Sequence, residues 1–322
     1  MSLANTQQNT SVPATKGQPN RWRLGDRAIL NLFIWPTLIL LIAFNFFPLF
    51  YSLFLAFTKF SAIRNTAPVW IWLQNFQDIL QDKNMWGHFA TSGRYVLMSV
   101  GLETLIGFAL AMFVRQKFRG SGVITTLILV PMMLSPVVVG LFWKVPMYDP
   151  SFGYFNYLIG FNHPASGPDM LASTFARESV SGLALWAVVI AEIWMWTPFV
   201  MLLVLSGLNA IPDYLYEAAA IDRASSWFQF WRITLPQVAP LLLIAVLFRT
   251  IEAFKSFDLV MGMTGGGPGD QTELIAVTLY KKAFLGSWQT GYSSALAYII
   301  LIIIIAVSNV YVKYLNQIKG EA

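Results

Sequence analysis

The chain contains no cysteine. Disulfides and thiolate metal sites are therefore excluded. Histidine is almost as rare, with only His88 and His163. Two histidines without cysteine make a poor zinc set, and no residue is assigned as a metal ligand. Charge is scarce too. Charged residues make up 11% of the chain, against about 25% in soluble domains. A nucleotide loop is also missing. The glycine-rich run "MTGGGPGDQT", Met263 to Thr272, lacks the Gly-Lys-Ser/Thr ending that meets phosphate and magnesium. There is no nucleophile elbow and no local cluster of histidines and carboxylates. Ser135, just before Pro136, reads as helix packing. These absences exclude an ATPase within the chain and most hydrolytic chemistry.

What the chain has is apolar length: 56% of its 322 residues are hydrophobic. A membrane span needs roughly 20 apolar residues. Six stretches qualify: 29–57, 95–114, 123–143, 183–205, 238–261 and 294–312. Backbone groups in hydrocarbon must be satisfied internally, so each is expected to be a helix. The predicted fold is an all-α integral membrane domain of six transmembrane helices over 26–318. Residues 1–25 are polar and lack an apolar run, so they read as a disordered cytoplasmic tail. The net charge of +5 reflects Lys and Arg held near one membrane face rather than nucleic-acid binding. Eleven of these residues fall in the tail, 115–122, 209–237 and the C-terminal tail, against seven in the opposite loops. The positive-inside rule then places both termini, and the polar elbow 209–237, in the cytoplasm. The expected location is a cell membrane.

Ionisable residues at membrane depth face a bundle interior or a wet cavity. Glu103 lies in the second span and Glu192 in the fourth. Arg249, Glu252, Lys255 and Asp258 lie in the fifth. Two readings fit them: interhelical ion pairs that orient the bundle, or the lining of a polar solute path. For Glu103, pairing with an arginine of another span is the simpler reading. Trp194, Trp196 and Phe199 flank Glu192, and aromatic faces beside carboxylates suit a sugar ring. Pro131, Pro136 and Pro198 kink their spans or mark a transport site.

The elbow carries the most specific signal. It contains Glu217, Ala218 and Ala219, then Asp222, Ala224, Ile233, Leu235 and Pro236. This resembles the EAA loop of binding-protein-dependent ABC importer permeases: Glu-Ala-Ala, three residues, Gly, nine residues, Ile, one residue, Leu-Pro. Arg223 stands where the family has glycine, so either the helix runs on by a residue or the arginine takes a left-handed backbone. "FDLVMGMTGGGP" and "LYKKAF", between Phe257 and Phe284, resemble the Gly-Gly-Pro region of the carbohydrate-uptake, maltose-type first permease. The resemblance extends over residues 25 to 315 and implies a type I ABC importer permease fold.

It also implies partners: a second homologous permease subunit, two cytoplasmic ATPase subunits that use ATP and Mg2+, an extracytoplasmic solute-binding protein, and a carbohydrate such as a disaccharide or glycosylated polyol. Nucleic acid is not among them. In that family the EAA loop is a coupling helix that docks on the ATPase. Glu217, Ala218, Ala219, Asp222 and Arg223 are the implied docking residues. The substrate-contacting positions fall on Glu192, Met195, Trp196, Phe199, Arg249, Glu252, Ala253, Met132 and Val137. The chain would be a transport subunit and not an enzyme. Two rivals explain the intramembrane charges without the elbow. One is an ion-coupled secondary transporter using Glu192, Glu252 and Arg249 as a relay. The other is a membrane-embedded transferase.

Overall fold

A computed structural model describes residues 26–63, 67–116, 118–149, 153–158, 183–286 and 288–320. The polar tail 1–25 and His163 lie outside them. Two units are distinguished, Met1–Tyr51 and Ser52–Ala322. The first unit contributes most of helix α1 (Asp26–Ala56), which holds Pro36 and Pro48 within it. From Leu30 onward its side chains are mostly apolar, with Phe33, Phe44 and Phe47 exposed, and Thr37 and Asn45 bond back to the helix's own carbonyls. That is the surface of a helix made for hydrocarbon.

In the second unit a two-residue hairpin, β1 (Thr58–Lys59) with β2 (Val69–Trp70), pairs antiparallel. Buried Asn75 of α2 (Gln74–Gln81) donates to the carbonyls of Ala56 (2.8 Å) and Thr58 (3.0 Å). It thereby serves orphan groups at the end of α1. The second span is α3 (Lys83–Arg115), begun by Asp82, whose side chain accepts from the Asn84 amide. The fourth is α7 (Leu183–Ala210), uninterrupted by Pro198. The sixth is α13 (Thr290–Gly320). Among the described residues, five helices are long and apolar enough to cross a membrane, and a bent pair makes up to six.

Three spans depart from expectation. The second begins at Lys83 rather than 95. The third, read as continuous over 123–143, is broken. Helix α4 (Ser121–Leu129) ends in a 3-10 turn at Pro131–Met133. Leu134 and Ser135 are extended, with ψ of 151° and 138°, and α5 (Pro136–Phe142) then leads into a π-turn at Trp143–Met147. The two halves meet at 101°. Ser135 precedes Pro136, whose ring disfavours the helical region for the residue before it. The fifth span also differs at both ends. It begins at Ser226 rather than 238, and runs through α9 (Ser226–Gln229), a π-turn at Phe230–Thr234 and α10 (Leu235–Phe254). The π-turn precedes Pro236 and accommodates its missing donor. At the far end the helix stops at Phe254, and Asp258 opens a separate α11 (Asp258–Met263). Lys255 is the cap of α10 and Asp258 lies in the first turn of α11, so neither is a mid-span charge.

The core forms where α3, α7 and α10 pack together. Lipid is as apolar as leucine, so close van der Waals contact rather than water exclusion drives such packing. Gly107 of α3 lies against α7 so closely that a Cβ would sit 2.8 Å from that of Val200. The pair α5 and α11 meets backbone to backbone in the same way. A Cβ on Gly140 would lie 2.7 Å from the Leu259 carbonyl oxygen, and one on Gly262 would lie 3.1 Å from that of Val137. The remaining short helices are α6 (Tyr154–Leu158), α8 (Asp213–Ile221) and α12 (Ile275–Phe284).

Candidate functional site

Three charges meet in the middle of this core. Arg249 of α10 donates from Nε to Glu103 Oε2 (2.7 Å) and from Nη2 to Glu103 Oε1 (3.2 Å). The same Nη2 donates to Glu192 Oε1 at 2.6 Å. The planar guanidinium thus holds a carboxylate from α3 with two donors and reaches one from α7 with the same edge. Relative exposure is 1% for Arg249, 0% for Glu103 and 3% for Glu192. The guanidinium also lies over the Trp196 ring, 4.6 Å from its centroid. In this conformation the cluster is an ion lock between three spans.

The candidate substrate residues divide accordingly. Glu192, Met195, Trp196, Arg249 and Ala253 belong to one neighbourhood, with Met195 and Ala253 buried and Trp196 half-buried. Phe199 packs one turn away in a second apolar cluster with Val200 and Val204. Glu252 points elsewhere and pairs with Lys255 at 2.7 Å in an exposed position. Met132 lies in the 3-10 turn and Val137 in the first turn of α5, on either side of the break. Trp194 stacks on Phe142 at 5.7 Å and serves the packing of α5 on α7. A cavity of about 640 Å³ between α3, α4 and α7 is lined by Ile106, Leu110, Leu127, Trp194 and Pro198. Its apolar lining suits hydrocarbon and not a sugar, whose hydroxyls would lack partners.

The elbow is a separate construction. Helix α8 starts behind Pro212, with Asp213 in the first turn where the helix dipole favours a carboxylate. Its inner side is fixed by Tyr216. The Tyr216 hydroxyl accepts from Arg115 Nη1 (3.1 Å) and hydrogen-bonds Thr234 Oγ1 (3.0 Å). The Arg115 guanidinium also lies 4.9 Å from the ring centroid. Leu215 and Tyr216 pack on the apolar cluster of α7 and α10, and Ala219 is buried. Glu217, Ala218, Asp222 and Arg223 are exposed, as are Ile221, Trp227 and Phe228. The tie through Tyr216 was not legible in the sequence, since Arg115 lies 101 residues away.

Arg223 takes the glycine role. Helix α8 ends at Ile221 and caps at Asp222. Arg223 follows with φ 53°. Its amide donates to the Ala220 carbonyl (3.1 Å), and the Ala224 amide donates to that of Ala219 (2.9 Å). This paired closure is a Schellman motif, with Arg223 at the left-handed position. The helix does not run on; the side chain tolerates the strained backbone.

Comparison with known proteins accords with this architecture. The family model for binding-protein-dependent transport system inner membrane components matches residues 103–318. The trehalose/maltose transport system permease protein MalF of Thermococcus litoralis is 31% identical over 88% of this chain and 92% of its own length. The trehalose transport system permease protein SugA of Mycobacterium tuberculosis is 29% identical over 90% of each chain. A crystal structure of a bacterial ABC transporter involved in the import of the acidic polysaccharide alginate contains a chain with the same fold. It has TM-score 0.74 and 18% identity, and the match covers 90% of this chain and 95% of that one. With the family model matching well over half its length, this chain belongs to the binding-protein-dependent transport system inner membrane components, as a non-enzymatic, multi-pass permease subunit of an ABC importer.

Proposed function

We propose that the chain is one of two homologous permease subunits that together carry a disaccharide-sized sugar or glycosylated polyol, delivered by an extracytoplasmic binding protein. ATP and Mg2+ are used by a pair of ATPase subunits on the cytoplasmic side, where the elbow and both termini lie. The observation that carries this reading is the elbow. Its inner side is pinned by Tyr216, while Glu217, Ala218 and Asp222 face outward with nothing from the described residues over them. A short helix at about nine residues does not persist alone in water, and an exposed carboxylate beside small residues suits close docking on a basic groove. Relatives named for trehalose and maltose transport support the sugar.

The solute path is assigned to Trp196, Phe199, Met132 and Val137, with Met195 and Ala253 shaping the wall behind them; Glu252, turned away to Lys255, is left out of it. Arg249 contributes by lying over the Trp196 ring, and Glu192 by holding Arg249 there.

The test is sugar-stimulated ATP hydrolysis by the assembled transporter in vesicles. Trehalose, maltose and other disaccharides are screened with the wild type. Glu217→Ala is expected to keep basal hydrolysis and lose the stimulation. Full stimulation in that variant would remove the docking assignment. A wild type stimulated by no sugar, but by another class of solute, would remove the sugar.

A further inference from the structure

The Gly-Gly-Pro loop is folded back on itself by hydrogen bonds, and the helix that follows it, α12, is bonded to α3. Gly265, Gly266 and Gly269 take φ of 62°, 95° and 54°, conformations open to glycine. They fold the loop back so that the Thr272 hydroxyl bonds the Gly267 carbonyl (2.7 Å) and Thr264 Oγ1 (2.7 Å). Beyond it, the amide of Ile275, first in α12, donates to Ser92 Oγ of α3 at 2.8 Å. One turn along, Thr278 Oγ1 lies 2.9 Å from His88 Nδ1 and 3.0 Å from Glu273 Oε1. Lys281 Nζ reaches the other oxygen of Glu273 at 2.7 Å.

The protons in this network can be assigned. Thr278 has one hydroxyl hydrogen, and the Glu273 carboxylate and the Leu274 carbonyl can only accept. Thr278 therefore donates to an oxygen, and its contact with His88 needs the histidine to donate from Nδ1. In the neutral ring that tautomer has its lone pair on Nε2. That atom is buried and has no hydrogen-bond partner, in a residue only 8% exposed. A ring nitrogen of His88 and one carboxylate oxygen each from Asp270 and Glu273 lie within 4.8 Å of one another.

We propose that His88, Asp270 and Glu273 bind a divalent transition-metal cation, with Zn2+ as the reference ion. An imidazole with two carboxylates is a borderline donor set, suited to Zn2+ or Mn2+ better than to Ca2+. The donation from His88 to Thr278, and from Thr278 to Glu273, is the outer hydrogen-bond shell that orients metal ligands. Bonds near 2.0–2.2 Å place ligand atoms about 3.3 Å apart in a tetrahedron, so the set contracts on binding. The contraction falls to Asp270, which is exposed on the loop, because His88 and Glu273 are held by α3 and α12. Glu273 has lone pairs to spare beyond its bonds to Thr278 and Lys281. The cation would staple the loop to α3 across a sequence separation that neither element spans alone. This does not depend on which solute is carried.

The experiment uses the assembled transporter, freed of metal by chelator and titrated with Zn2+ against a chromophoric competitor. The wild type is expected to bind one equivalent per permease chain more than Asp270→Asn. Asp270 is exposed, so that variant keeps its fold. Lys281→Gln is expected to tighten binding roughly tenfold, because the ammonium competes for Glu273. A folding defect cannot produce that sign. Equal zinc in wild type and Asp270→Asn, or unchanged or weaker affinity in Lys281→Gln, would overturn the site.

Discussion

Replacing Arg223 by glycine tests the helix exit of the elbow directly. An L-residue in the left-handed region costs about 1–2 kcal/mol, and Arg223 sits there with φ 53°. Glycine removes that strain but adds freedom to the opened chain, which returns about 0.5–1 kcal/mol. The difference is about 0.5–1 kcal/mol in favour of Arg223→Gly. It acts on the two bonds that close the motif, from residue 223 to Ala220 and from Ala224 to Ala219. Native-state hydrogen exchange on the assembled transporter reads these amides one by one. With intrinsic rates corrected, protection at 223 and 224 is expected to rise about two- to fivefold in Arg223→Gly. Arg223→Val should lower it by more than that, since β-branched residues tolerate a positive φ least. The Phe228 amide, bonded to Ser225 Oγ at 3.2 Å in the next cap, serves as an internal reference that should not move. Unchanged protection at Ala224 in Arg223→Val would refute the left-handed exit and the reasoning built on it.

Two further substitutions address the bundle. Arg249→Met leaves Glu103 and Glu192 buried without their cation. The expected cost is about 3–5 kcal/mol, visible as loss of folded transporter from the membrane. Glu103→Gln keeps the Glu192 pair and should cost only about 1 kcal/mol. Indistinguishable yields and melting of Arg249→Met and wild type would remove the ion lock. Gly140→Ala drives a methyl into the Leu259 carbonyl and should cost about 1–3 kcal/mol. Gly93→Ala, with open space around it, should be neutral or slightly stabilising in its helix. Similar melting temperatures for the two would show that α5 and α11 do not meet so closely.

The six spans were legible because hydrocarbon demands length and apolarity, and both are local properties. The charges were legible as outliers for the same reason. Their pairing was not: Arg249 and Glu103 are 146 residues apart, and nothing in either neighbourhood names the other. The break at Pro136 was written in the sequence, yet hydropathy averaged over a window passes through it. The fifth span was misjudged at both ends by opposite errors. The start reads as 238, where the apolar run begins after the polar elbow, yet the helix runs from Ser226 and a π-turn accommodates Pro236. Lys255 and Asp258 read as mid-span charges, although the helix stops at Phe254. Arg223 shows the converse, because the expected glycine identified the conformation even though the residue differs.

The lock at Arg249 and the tie at Tyr216 fasten the same helices at two heights. Arg249 joins α10 to α3 and α7 in the core, and Tyr216 joins the helix between α7 and α10 to the end of α3. The spans α3 and α10 are thus tied at both heights, and α7 at the core. A load applied to the elbow is then shared by all three, and bending any one of them away would strand a buried charge. The third span stands outside this fastening: it is broken at Leu134 and Ser135, and its second half is seated on α11.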